Sequence, residues 1–207
     1  MGLRYPDLVR ARQASPLPPP LAGASSLPLG ALDPEVLERL AAELIRRRPN
    51  QGAHFYGRRG QKQYGLDIVE RESPDATSVY QVRRYQALTP DLISSTVTEY
   101  AGPAGEREGK PPRRFAARRY VLLTSAPFDE DTVLQHRLEE LQQRYRDDLL
   151  LEVWGQERLT AELRDCGALV NSVFGPERTR EICGFVPVPP GPADPDRLGL
   201  VENRWRR

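Results

Sequence analysis

The chain has few of the side chains from which zinc sites and disulfide frameworks are built. Among its 207 residues are two cysteines, Cys166 and Cys183, and two histidines. The cysteines are far apart in sequence and fit no metal-ligand spacing, so no zinc site is expected. No apolar run approaches the roughly 18 residues of a transmembrane helix, and the N-terminus lacks the apolar region of a signal peptide. We therefore expect a reduced, cytoplasmic protein without membrane contact.

The sequence also lacks a strong charge of either sign. Its net charge of +1 gives no general attraction to nucleic acid, so any such contact has to come from a local patch. Lysine is nearly absent, with Lys62 and Lys110 as the two examples, and no Gly-Lys-Ser/Thr nucleotide-binding loop is present. Apolar residues make up 39% and charged residues 29% of the chain, which is typical of a soluble globular domain.

Proline divides the chain into three parts. Residues 1–31 are rich in Pro, Ala, Ser and Leu, and a second Pro-rich stretch covers residues 186–195. Proline denies the backbone regular helices and ladders. The sequence therefore predicts a disordered tail over residues 1–31, a folded domain over residues 32–176 and a Pro-rich C-terminal segment or linker over residues 177–207.

Within the middle part, helical and extended patterns alternate. Asp33 and Pro34 predict a capped helix that ends near residues 46–48. The rest of the pattern predicts strands over 53–56, 64–70, 78–86, 120–124 and 149–154, and helices over 91–100, 131–146 and 157–164, with a short apolar close at 169–174. Strands that alternate with helices favour an α/β fold, with a central mixed β-sheet flanked by helices on both faces.

Three polar residues on neighbouring predicted strands suggest chemistry. Asp67 lies between Leu66 and Ile68 in an apolar strand, where a carboxylate is costly unless it is paired or binds a metal. Gln81 and Arg83 are two residues apart on the next strand, so their side chains leave the same face. If the strands pair, an acid, an amide oxygen and a cation converge, which suits a divalent cation beside a phosphate. A capping role for Asp67 and a merely polar strand face for the other two stay open.

Other residues border this arrangement. Glu38 lies beside the apolar stripe of the first helix, where it could complete the acidic set, although a solvated surface role is the commoner one. The loop of residues 107–119 carries Lys110, Arg113, Arg114, Arg118 and Arg119 around Phe115. It could grip a phosphate backbone or be a solvated loop.

Two runs of residues carry a resemblance to a known family. Residues 57–68 read GRRGQKQYGLDI, and residues 79–85 read VYQVRRY. The first run resembles the Gly-x-x-Gly-Gln-x-Gln-x-Gly-x-Asp-Ile pattern of the PD-(D/E)XK nuclease superfamily, in particular its Mrr-like restriction-endonuclease branch. The second run is similar to the family's Gln-x-Lys strand. The resemblance covers about residues 33–175, whose last part is similar to such domains at the N-terminus of bacterial NACHT and other signalling NTPases linked to phage defence.

The resemblance implies a restriction-endonuclease-like fold and a Mg²⁺- or Mn²⁺-dependent DNA endonuclease in prokaryotic antiviral defence. A partner NTPase or sensor is also implied. Asp67, Gln81 and Glu38 would bind the metal, and Arg83 would stabilise charge during catalysis. The residues expected to contact nucleic acid are Arg58, Arg59, Gln61, Gln63, Arg84, Arg113 and Arg114.

The chain departs from the family at one position that matters for catalysis. Arg83 stands where the family has lysine, and it keeps the positive charge but has a planar fork instead of a compact ammonium. Two alternatives to a nuclease therefore stay open. One is a catalytically degenerate module that binds nucleic acid or a partner protein, and the other is a structural domain that docks onto an NTPase or sensor.

Overall fold

The structure is a computed structural model that describes residues 17, 26–47, 52–56, 66–73, 76–102, 114–147 and 149–187. Its helices and strands follow the predicted order closely. They are α1 (Pro34–Arg46), β1 (His54–Phe55), β2 (Ile68–Ser73), β3 (Ala76–Arg83), α2 (Pro90–Ala101), β4 (Arg119–Thr124), α3 (Thr132–Tyr145), β5 (Leu150–Trp154), α4 (Gln156–Leu163) and α5 (Gly167–Cys183). Short 3-10 turns lie at Leu29–Ala31 and Arg114–Ala116.

The strands form a mixed sheet in the order β1-β2-β3-β4-β5. Strands β1, β2 and β3 are antiparallel neighbours, whereas β4 and β5 continue from β3 in parallel. Tyr80 on β3 lies opposite Ile68 on one side and Val121 on the other. The expected central mixed sheet is confirmed. The expected antiparallel pairing is also confirmed between β2, which directly follows Asp67, and β3, which contains Gln81.

Local capping explains where several helices begin. The Thr89 hydroxyl accepts from the Leu92 N–H ahead of α2, and Pro90 occupies the first helical position. The Asp131 carboxylate accepts from the N–H groups of Val133 and Leu134 at the start of α3. These contacts satisfy donors that a helix N-terminus otherwise leaves unpaired.

The sheet has an apolar core on each face. Helices α1, α4 and α5 cover the face to which Tyr80, Val82 and Trp154 contribute. Helices α2 and α3 cover the opposite face, which includes Val79 and Tyr120. Successive side chains of β3 therefore enter the cores on opposite faces of the sheet, because side chains alternate between the two faces of a strand. No helix within the described ranges is both long and apolar enough to cross a membrane.

The predicted N-terminal boundary is wrong, because part of the Pro-rich segment belongs to the core. Leu27 and Leu29 are fully buried in the α1 layer. The Leu27 N–H donates to the Thr160 hydroxyl at 3.0 Å, and its carbonyl accepts from the Gln156 side chain at 2.7 Å. Leucines between the prolines supply enough apolar surface to hold this segment on the domain. Of residues 1–25, the described ranges include Leu17 alone, which packs against the same core.

The predicted C-terminal boundary at residue 176 is also wrong. Helix α5 runs to Cys183, with a break at Gly175, whose φ of 82° is unsuited to most side chains. Gly175 and Pro176 form a stop signal, yet the helix restarts after them and buries Thr179 and Ile182. The domain therefore extends to the end of α5, and residues 188–207 lie outside the described part of the chain.

We predict that Leu27→Ala lowers the free energy of unfolding by about 2–5 kcal/mol, because it leaves a cavity in a well-packed core. Val133→Ala is the control, since Val133 is 64% exposed on α3 and its truncation should change stability by about 0.5 kcal/mol or less. Urea denaturation measures both. A Leu27→Ala effect as small as that of the control would show that the N-terminal segment contributes nothing to the folded domain.

Candidate active site

The backbone of Asp67 is fixed by hydrogen bonds to two neighbouring segments. Its N–H donates to the Tyr80 carbonyl at 2.9 Å, and its own carbonyl accepts from the Tyr56 N–H at 2.8 Å. Asp67 directly precedes β2 and is only 4% exposed. The sheet therefore holds this carboxylate in a defined, nearly dry position at one end of β2.

The Asp67 carboxylate accepts hydrogen bonds from both residues that follow Gln81. Its Oδ2 atom accepts from the Val82 N–H at 2.7 Å and from Arg83 Nη1 at 3.2 Å. Burial raises the pKa of Asp67 above its ordinary value, the Val82 hydrogen bond and Arg83 act in the opposite direction, and Glu99 raises it further. Burial thus prevails over the two stabilising contacts, as expected for a desolvated acid.

Gln81 is fully buried, and both ends of its amide are engaged. The Tyr120 hydroxyl donates to Oε1, while Nε2 donates to Glu99 Oε2 at 3.3 Å. Tyr120 stacks on Tyr100 with ring centroids 5.2 Å apart, and burial raises its pKa well above the usual range. The hydroxyl therefore stays neutral and serves as a fixed donor that orients the Gln81 amide.

Arg83 links the buried and the exposed carboxylates of the cluster. In addition to Asp67, its Nη1 donates to the Val82 carbonyl at 3.0 Å, and its Nη2 lies 4.0 Å from Glu99 Oε2. The Arg83 side chain is 32% exposed, in contrast to the nearly buried Asp67. The predicted convergence of Asp67, Gln81 and Arg83 is confirmed by this chain of contacts.

Glu99 is a member of the cluster that sequence reasoning missed. It lies near the end of α2, with its side chain 53% exposed, and it contacts both Gln81 and Arg83. The sequence predicts the helix, but the packing of the helix beside the C-terminal end of β3 depends on topology, which the sequence pattern does not contain. One sequence feature could have pointed to Glu99: it is adjacent to Tyr100, which belongs to the buried stripe of the helix that faces the sheet.

The structure does not bring Glu38 into the cluster. Helix α1 packs with Tyr80 and Val82, which leave β3 on the face opposite to Gln81. Among the residues described, the side chains of Asp67, Gln81 and Arg83 contact one another or residues of β3, β4 and α2. The ligand role of Glu38 stays a prediction, and the geometry favours Glu99 as the second acid.

The predicted nucleic-acid contacts fall partly within the described residues. Arg84 is exposed directly after β3, and Arg114 begins a 3-10 turn whose Phe115 touches the ring of Tyr56 at 5.0 Å between centroids. Tyr56 is hydrogen-bonded to Asp67 and is the last described residue before residues 57–65. Outside the described residues lie Arg58, Arg59, Gln61, Gln63 and Arg113.

The donor set of the cluster fits a hard divalent cation. Asp67 and Glu99 offer carboxylate oxygens. The Gln81 amide oxygen has a second lone pair besides the one that Tyr120 uses, and Nε2 is the end of this amide that contacts Glu99. Within the described ranges, no group of three or more His, Cys, Asp or Glu side chains is arranged to hold a metal. Mg²⁺ is nonetheless usually held by one or two carboxylates and keeps several waters, so two acids meet its needs.

Comparison of the chain with protein-family models, curated proteins and solved structures finds no match.

We predict a pH-dependent effect of Asp67→Asn on stability. Because the folded state raises the pKa above the ordinary value of 3.8, the folded protein binds the extra proton, and stability falls as pH rises through the window above 3.8. The variant lacks this titration and should therefore gain stability relative to wild type across that window. Urea denaturation at several pH values measures the difference, with values below pH 3.8 as the baseline. A stability difference between Asp67→Asn and wild type that stays constant with pH would contradict the raised pKa of Asp67.

Proposed function

We propose that the domain is a Mg²⁺-dependent endonuclease that hydrolyses DNA phosphodiester bonds in prokaryotic antiviral defence. The observation that carries the proposal is the buried Asp67 carboxylate, held just before the start of β2 beside Gln81 and Arg83. An acid with a raised pKa, next to a fixed amide and a cation, is the kind of arrangement that functional sites show. DNA as the substrate and the defence role rest on the resemblance of residues 57–68 and 79–85.

Asp67, Glu99 and the Gln81 amide oxygen are the groups that would hold Mg²⁺ or Mn²⁺. A divalent cation bound there would polarise the scissile phosphate and lower the pKa of a bound water. Burial makes the Asp67 charge costly, so a cation would relieve a penalty that the free protein carries. Tyr120 would keep the Gln81 oxygen in place, because its buried hydroxyl has this amide as its partner.

Arg83 would supply the positive charge that a phosphate requires. Its guanidinium lies at the edge of the cluster, 32% exposed, between the carboxylates of Asp67 and Glu99. Rotation of this side chain toward solvent would exchange its carboxylate contacts for phosphate oxygens, which the planar fork binds well. The exposed Arg84 next to it would add a backbone contact that positions the nucleic acid.

The second candidate is a catalytically degenerate module that binds nucleic acid or a partner protein. The observation in its favour is the Arg83–Asp67 ion pair at 3.2 Å. An arginine stays protonated at all relevant pH values, so it can neutralise Asp67 permanently in place of a metal. A site of this kind would retain its fold and its charge without cleaving phosphodiester bonds.

We predict that plasmid cleavage in Mg²⁺ or Mn²⁺ is abolished by Asp67→Ala and lowered about 10²–10³-fold by Arg83→Ala. DNA affinity should change much less than the rate, because Arg83 would act mainly on charge that develops in the transition state. Arg83→Lys should retain activity. Arg146→Ala is the matched control, since Arg146 is a surface arginine with a side chain that is 63% exposed.

Two results would separate the candidates. Wild-type protein without metal-dependent cleavage, together with an Arg83→Ala variant whose DNA affinity falls modestly and whose salt dependence is reduced, would identify the degenerate module. Cleavage that is unchanged in Arg83→Ala would remove this residue from the mechanism while leaving the nuclease in place.

We further predict that Glu99→Gln weakens Mn²⁺ binding about tenfold or more, whereas Glu38→Gln leaves it unchanged. The reason is that Glu99 contacts Gln81 and Arg83, while Glu38 belongs to a helix on the opposite face of β3. Isothermal titration with the metal alone measures this without an activity assay. Loss of Mn²⁺ binding in Glu38→Gln, with normal binding in Glu99→Gln, would identify Glu38 instead of Glu99 as the metal ligand.

A further inference from the structure

The two cysteines of the chain meet at one place in the fold. Cys166 precedes helix α5 and Cys183 ends it, so the length of a whole helix separates them in sequence. The break at Gly175, with its φ of 82°, interrupts the helix between them. Both cysteines pack, partly buried, against the α1 side of the sheet, where α4 also lies.

The two sulfur atoms contact adjacent backbone carbonyl groups at the end of α4. Cys166 Sγ is 3.8 Å from the Glu162 carbonyl oxygen, and Cys183 Sγ is 3.9 Å from the Leu163 carbonyl oxygen. Consecutive residues of an α-helix are offset by only about 1.5 Å along its axis, so these two carbonyls are neighbours. The backbone N–H of Cys166 also donates to the Leu163 carbonyl at 2.9 Å, which brings the backbone of one cysteine to the sulfur of the other.

Electrostatics agrees with this placement. Burial raises the pKa of the Cys183 thiol, and the nearby Cys166 and Asp165 raise it further. The Cys166 side chain is therefore close enough to Cys183 to affect the ionisation of the Cys183 thiol. Both are of intermediate exposure, so a small oxidant can reach them.

We propose that Cys166 and Cys183 are a modification site, which a peroxide-class oxidant converts into an internal disulfide that ties together the two ends of α5. One thiol releases its proton, and the resulting thiolate attacks an oxygen of hydrogen peroxide. The O–O bond breaks, the departing hydroxide takes up the proton, and the products are a sulfenic acid and water. The second thiol then attacks the sulfenic sulfur and displaces a second water. The two thiols together lose two protons and two electrons, and these reduce one peroxide to two waters.

The bond would stabilise the end of the domain. It would close a loop over residues 166–183, which restricts the unfolded chain more than the folded one, where both sulfurs already contact the end of α4. We predict a rise in Tm of about 5–10 °C on oxidation, and its reversal by dithiothreitol.

The test treats the full chain with hydrogen peroxide and compares its intact mass and thiol titre before and after. The expected product is a monomer that is lighter by two hydrogens, has no free thiol and yields a linked pair of tryptic peptides from residues 165–178 and 181–197. Cys166→Ala and Cys183→Ala are the matched controls, and neither should gain stability on oxidation. Three results with the wild-type protein would overturn the proposal. They are two thiols that stay free, disulfide-linked dimers as the only disulfide product, and cysteines that are oxygenated separately without becoming linked.

Discussion

Strand β3 imposes the constraint on which the rest of the structure depends. It pairs with β2 on one side and β4 on the other, so both its backbone edges are occupied and both its faces are covered. Tyr80 and Val82 enter the core beneath α1, whereas Gln81 points toward α2. Because the side-chain period is two residues, a shift in register by one would place Gln81 in the apolar core and Val82 among charged groups.

The polar side of β3 is tolerated because nearly every group in it has a partner. Gln81 bonds to Tyr120 and Glu99, and Arg83 bonds to Asp67. A buried amide without such partners would cost about 1–3 kcal/mol, and an isolated carboxylate would cost more. The raised pKa of Asp67 shows that the compensation is incomplete for this group. The site therefore keeps one unfavourable charge, which a bound cation could relieve.

Periodicity predicted the succession of helices and strands along the chain and the convergence of Asp67, Gln81 and Arg83, because both follow from local pattern and the pairing of two neighbouring strands. It missed Glu99, since a helix residue joins a site only through the packing of that helix, which no local pattern describes. The proline content predicted the domain boundaries incorrectly at both ends. Leu27 is held by Thr160 and Gln156, far away in sequence, and Ile182 packs only because a helix restarts after Gly175 and Pro176. In each case long-range burial outweighed a local signal.

The contact between Arg83 and Asp67 has a different meaning in each proposed function. In a nuclease it is a state that metal and phosphate must displace, so part of their binding energy would be spent on separating the pair. The partial exposure of Arg83 keeps that cost low, because its guanidinium regains water when it leaves Asp67. In a degenerate module the same contact is the final state, in which an always-protonated group compensates an otherwise costly buried charge. The affinity of the free protein for a divalent cation is therefore the physical quantity in which the two functions differ most.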